Sequence, residues 1–205
     1  MKNLITLSKD NFKQAVAAAA KVLRGGGVIA YPTETLYGLG ALASSKEGVA
    51  RVREIKGKDE PMLVLVSGME MAEKYARVDD RAAKLIEIFW PGPLTLILST
   101  DAGILKNVRG LSKGIGMRSS SEPFARELVI QAEEPVISTS ANRTGSAPLE
   151  TGNAIEKELG PELDLIIDGG PRSGMPSTVV DLTGPGLGIV REGAIKSDEV
   201  RKVLR

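Results

Sequence analysis

Apolar and polar positions along the chain alternate in short runs that predict helices and strands in turn. Residues Asp10 to Leu23 predict a helix, with Asp10 as a cap, an Ala-rich interior and Gly25-Gly26-Gly27 as its stop. Val28-Ile29-Ala30-Tyr31 is a short apolar run, read as a buried strand that Pro32 ends. Ser44 and Ser45 can cap a helix through Lys56, whose Val49, Val52 and Ile55 recur at helical spacing. Met62–Val66 predicts a further strand. Helices follow near Glu70–Ala76 and Asp80–Phe89, before Pro91-Gly92-Pro93 breaks the chain.

The second half repeats the alternation. Strands are expected at Leu94–Leu98, Ile115–Arg118, Pro135–Ser138 and Leu165–Asp168. Helices are expected at Glu122–Gln131, with Pro123 in its first turn, and near Glu150–Leu159. Thr178–Leu182 and Gly188–Arg191 flank the turn Thr183-Gly184-Pro185-Gly186 as a hairpin, and Ser197–Leu204 predicts a last helix. Helices alternating with strands, plus one hairpin, predict a single α/β domain over residues 1–205 with a twisted mixed β-sheet flanked by helices.

Composition then narrows the chemistry. The chain has 27 Lys and Arg against 26 Asp and Glu, a net charge of +1, so no global charge excess draws it to nucleic acid or an anionic membrane. It has no Cys and no His. That excludes disulfides, thiolate nucleophiles, Cys- or His-ligated metals and a Ser-His-Asp triad. Catalysis must then rest on Lys and Arg, carboxylates, hydroxyls, backbone amides or an oxygen-bound hard cation. No apolar run approaches the roughly 18 residues of a membrane span, and the start MKNLITLSKD lacks a signal-peptide apolar core. A cytoplasmic protein without a membrane partner is expected.

Two motif matches fail on context. Gly110-Leu111-Ser112-Lys113-Gly114 fits G-x-S-x-G, but a strand rather than a helix follows it and the chain has no His. Gly38-Leu39-Gly40-Ala41-Leu42-Ala43 fits G-x-G-x-x-G/A, but begins well after its strand has ended, so close backbone packing is the better reading. Phe89 and Trp90 read as core rather than a base-stacking platform, since aromatics are only 3% of the chain.

Four polar segments have a better claim: Tyr31-Pro32-Thr33-Glu34-Thr35, Lys56-Gly57-Lys58, Arg118-Ser119-Ser120-Ser121 and Ser138-Thr139-Ser140-Ala141-Asn142. Three of them directly follow strands, where α/β sheets bind ligands, and the second ends a helix. If they converge, they form a crevice of hydroxyls and cations suited to phosphate and carboxylate groups. Taken singly, each also reads as an ordinary turn or as cations at a helix end.

In order, the segments from Gly27 to Gly40, Lys56 to Lys58, Trp90 to Thr95, Gly116 to Arg118, Ser138 to Asn142, Ser177 to Asp181 and Arg191 to Ile195 resemble the YrdC/YciO-type family of threonylcarbamoyl-AMP synthases, in its single-domain form. The resemblance implies a mixed sheet around a concave, positively charged cavity. It also implies formation of L-threonylcarbamoyladenylate and pyrophosphate from L-threonine, bicarbonate and ATP. Mg²⁺ is expected with the ATP, and partner transferase proteins would pass the threonylcarbamoyl group to tRNA. By position in the motifs, Thr33, Arg118, Ser138 and Ser177 would bind threonine. Lys56, Gly114, Ser140, Asn142 and Arg191 would bind ATP, with Lys56 and Lys58 the catalytic cations. Lys58 stands where the family carries Arg, a point charge in place of a fork. The alternative the resemblance leaves open is a non-catalytic paralogue that binds tRNA or double-stranded RNA.

Overall fold

The protein is described by a computed structural model covering residues 3–57, 62–109 and 114–205. Its first half runs β1 (Leu4–Thr6), α1 (Phe12–Arg24), β2 (Ile29–Pro32), β3 (Tyr37–Gly40), α2 (Lys46–Lys56), β4 (Val64–Leu65), α3 (Met69–Tyr75), α4 (Asp80–Phe89) and β5 (Leu94–Ser99). Then come α5 (Lys106–Arg109), β6 (Gly114–Arg118), α6 (Pro123–Ala132), β7 (Val136–Ile137), β8 (Thr139–Ser140), α7 (Gly152–Leu159), β9 (Leu165–Asp168), β10 (Thr178–Asp181), β11 (Gly188–Arg191) and α8 (Ser197–Val203).

The mixed α/β architecture expected from the pattern is present, and its strands divide into two sheets. One has the order β1-β9-β2-β3-β8, the other β11-β10-β5-β6-β4-β7. Both mix directions: β9 is parallel to β1 and β2, whereas β3 is antiparallel to β2 and β8. The hairpin of β10 and β11 forms as the turn sequence requires, and β10 continues the sheet by pairing parallel with β5.

Period-two burial sets the layers. On β2 and β9, Ile29, Tyr31, Leu165 and Ile167 face a layer made by α1 and α6, whose Phe12 and Phe124 rings meet edge to face at 6.2 Å. Their alternates Ala30 and Ile166 face a larger core shared with Leu94, Leu96, Met117 and Val180 of the second sheet. No helix among the described residues is long and apolar enough to cross a membrane.

Several boundaries differ from expectation for local reasons. The α1 helix starts after Asn11 rather than Asp10, and Asn11 spends its side chain on Ser8 and on the Thr6 carbonyl instead of capping. Of the two candidate caps of α2, Ser45 accepts the Gly48 N–H at 3.0 Å, while Ser44 donates to Glu134. The strands β1, β3 and β8 were not expected. In β3 the glycines do the packing: a Cβ on Gly40 would lie 2.6 Å from the Tyr31 ring. The G-x-G-x-x-A match is therefore a strand pressed against a tyrosine, not a phosphate-binding turn into a helix. The Gly110–Lys113 part of the G-x-S-x-G match lies outside the described residues, and Gly114 opens β6.

Candidate active site

The described candidate side chains lie at or close to the ends of regular elements. The turn between β2 and β3 closes on itself: the Thr33 N–H reaches the Leu36 carbonyl at 3.2 Å, and the Thr33 hydroxyl donates to the same oxygen at 2.6 Å. Thr35 lies beside it, the two hydroxyls 3.0 Å apart. Arg118 ends β6 and is only 3% exposed. Its Nη1 donates to Glu34 Oε1 at 2.5 Å and to the Thr35 hydroxyl at 3.4 Å, while the Ser120 hydroxyl donates to the other Glu34 oxygen. A buried guanidinium with a carboxylate partner is the arrangement burial demands.

Lys56 ends α2. Its Nζ donates to the Ser140 carbonyl at 2.9 Å, the Asn142 Oδ1 at 2.9 Å and the Ser140 hydroxyl at 3.3 Å. The Asn142 amide in turn donates to the Ser146 carbonyl at 2.6 Å, so the loop after β8 is folded around these groups. Across the cavity, the Ser177 hydroxyl lies 2.9 Å from that of Thr95, and Arg191, at the end of β11, donates to the Ser177 carbonyl at 2.9 Å.

Thr33, Arg118, Ser138, Ser140, Asn142, Ser177 and Arg191 line one cavity of about 450 Å³. Hollows of about 550 and 850 Å³ elsewhere gather none of these seven residues, so size does not mark the site; convergence of polar groups does. Lys56 is not in the lining but sits directly behind Ser140 and Asn142. Gly114 lies at the far end of β6 from Arg118, outside the lining; a Cβ there would stand 2.7 Å from Thr183 and 2.8 Å from Ile97. A side chain at this position would meet that close packing. Lys58 lies outside the described residues. The lining also includes Tyr37, Ser146, Pro148 and Pro176, which no residue pattern singled out.

The electrostatics are positive and uneven. Loss of water, and then the nearby charge of Arg118, lowers the pKa of Arg191 from its ordinary value. Among the described residues no carboxylate pairs with Arg191. Burial pushes the Tyr31 hydroxyl far above the usual tyrosine range, so it stays protonated and donates to the Ile137 carbonyl at 3.1 Å, at the end of β7 just before Ser138. No cluster of three acidic side chains suited to a metal occurs among the described residues. The described lining residues offer hydroxyls, an amide and guanidinium groups and no carboxylate, a set that does not fit a resident magnesium ion.

The Sua5/YciO/YrdC family model, described as telomere recombination, matches residues 21–193. This chain belongs to that family. The threonylcarbamoyl-AMP synthase of Pyrococcus abyssi is 33% identical over 193 residues, covering 92% of this chain and 57% of that protein. Its counterpart in Homo sapiens is 35% identical over 196 residues, covering 90% of this chain and 69% of that protein. The crystal structure of P. abyssi Sua5 complexed with L-threonine superposes with a TM-score of 0.90 at 31% identity, covering 98% of this chain and 60% of that one. The chain thus spans under two thirds of the archaeal relative's length.

Proposed function

We propose that this chain, acting as one domain, makes L-threonylcarbamoyl-AMP from L-threonine, bicarbonate and ATP. The observation that carries this reading is the convergence of Thr33, Arg118, Ser138, Ser140, Asn142, Ser177 and Arg191 on one cavity, from segments spread over most of the chain. The threonine-bound relative and the synthases among the similar proteins support it.

The chemistry follows from the product. The threonine amine and bicarbonate give a carbamate with loss of water. A carbamate oxygen then attacks the α-phosphorus of ATP, and pyrophosphate leaves. Arg118 holds the amino-acid carboxylate with the planar fork that Lys lacks. Thr33, Ser138 and Ser177 supply hydroxyls for the rest of the threonine. Ser140 and Asn142 contact the nucleotide, and Lys56 and Arg191 stabilise charge on the phosphates as the bond to pyrophosphate breaks. Magnesium enters as part of the substrate, bound to the triphosphate. The adenylate is an activated mixed anhydride, so a transferase acting on tRNA is its natural consumer.

The test is pyrophosphate release by the purified chain supplied with ATP, magnesium, bicarbonate and threonine. Release that requires both threonine and bicarbonate is the expected result. Folded protein that releases none and binds neither ATP nor threonine overturns the reading. Salt-sensitive tRNA binding in its place would favour the paralogue without catalysis.

A further inference from the structure

Within the turn that borders the cavity, Thr33, Thr35 and Leu36 belong to the lining and Glu34 does not. Glu34 sits behind Arg118. Its side chain is 14% exposed and that of Arg118 is 4% exposed. One Glu34 oxygen takes the Arg118 Nη1–H, and the other takes the Ser120 hydroxyl, itself fixed because Ser120 Oγ also accepts the Glu122 N–H at 3.2 Å. Arg118 Nε, by contrast, is buried without a hydrogen-bond partner among the described residues.

These facts belong together. The guanidinium is planar, so anchoring Nη1 from behind limits where the remaining N–H groups can point. A buried N–H left unpaired is a loss in the free protein, and a ligand that accepts from it removes that loss on binding. The Glu34 charge also offsets that of Arg118, which favours recognition by geometry over capture of any anion.

We infer that Glu34, held by Ser120, is a positioning residue that sets the plane of Arg118 and keeps its Nε–H available for the carboxylate of the amino-acid substrate. The inference rests on the reading of Arg118 as the carboxylate site. Glu34 itself does not touch substrate.

The experiment compares Glu34→Ala, Glu34→Gln and Ser120→Ala with the wild-type chain, measuring threonine and ATP affinities by calorimetry alongside thermal unfolding. Glu34→Ala should weaken threonine about tenfold or more, the size of one lost charged hydrogen bond, and leave ATP within about twofold. Glu34→Gln keeps an acceptor oxygen for Nη1 and should hold threonine within about threefold of wild type. Ser120→Ala should fall between them. Threonine affinity unchanged in Glu34→Ala overturns the inference, as does an equal loss of ATP and threonine, which marks a structural role only. If Glu34→Ala does not fold, Ser120→Ala binding threonine no more weakly than Glu34→Gln overturns it. Wild-type protein that binds no threonine overturns both this inference and the reading beneath it; wild-type binding with unaffected variants overturns this inference alone.

Discussion

Arg118 and Arg191 border the same cavity, yet the fold treats their charges in opposite ways. Arg118 is buried and neutralised, its Nη1 2.5 Å from Glu34, at the end of a strand inside the second sheet. Arg191 ends the edge strand β11, its guanidinium donates to the neutral Ser177, and no carboxylate among the described residues pairs with it; loss of water, and then the charge of Arg118, lowers its pKa. Lys56, behind the lining, donates to oxygens of Ser140 and Asn142. Arg118 is thus fixed by an ion pair, whereas Arg191 has no carboxylate partner among the described residues. A single-charge carboxylate suits the first and a polyanionic triphosphate suits the second.

The largest expected effect is on stability, and it separates the two arginines. Arg118→Ala strands Glu34 in a buried site and should cost about 3–5 kcal/mol of folding free energy. Arg191→Ala leaves only neutral groups behind and should cost less than about 1 kcal/mol. Urea unfolding of both variants checks this, and equal losses would erase the distinction.

The next effect is on binding. Lys56→Ala should lower ATP affinity by about ten- to a hundredfold, the range of lost hydrogen bonds to a charged group, while threonine affinity and unfolding stay near wild type. Calorimetric titration of each ligand measures it. ATP binding unchanged in this variant would remove Lys56 from the phosphate site. A gentler probe needs no mutation. Raising KCl should weaken ATP binding several-fold and threonine binding much less, because a polyanionic triphosphate beside the exposed Arg191 is screened more than a carboxylate on the buried Arg118. Parallel salt dependence of the two ligands would mean the two arginines are not electrostatically different.

Much of this layout was legible from the residues, and the illegible parts share a cause. The α2 helix, with its Ser45 cap and its end at Gly57, followed from local chemistry, and so did the β10–β11 hairpin. The division into two sheets did not, because it depends on pairings such as β1 with β9 and β5 with β10, between segments far apart in sequence. Glycine hid β3, whose packing against Tyr31 only the assembled sheet explains. In the site, Thr33, Ser138 and Asn142 stood out as polar residues beside strands. Thr95 did not, since a hydroxyl inside an apolar strand acquires a role only when Ser177 arrives opposite it. Glu34 was visible as part of a polar segment, but its partnership with Arg118 spans 84 residues.

The Arg51–Asp164 pair supplies the reference between those extremes, and the smallest effect. It lies outside the cavity, its N–O distance is 2.7 Å, and its side chains are 31% and 41% exposed. Burial acts first to raise the Asp164 pKa, but the Arg51 hydrogen bond, the Val28 N–H and the Arg51 charge together outweigh it and lower the pKa below the ordinary value. A carboxylate lowered in this way binds its proton more weakly in the folded state than in the unfolded chain. Its contribution is therefore complete above the unfolded value of about 3.9 and is lost as pH falls through the folded value. Asp164→Asn should accordingly be slightly less stable than wild type at neutral pH, by less than about 1 kcal/mol for so exposed a pair. The gap should close in acid, below about pH 4, where wild type loses the charge as well. Paired urea unfolding at neutral and acid pH reads the difference directly. A gap that persists undiminished in acid would assign the loss to the Val28 hydrogen bond rather than to charge, and would leave Arg118–Glu34 as the ion pair against which Arg191 is to be judged.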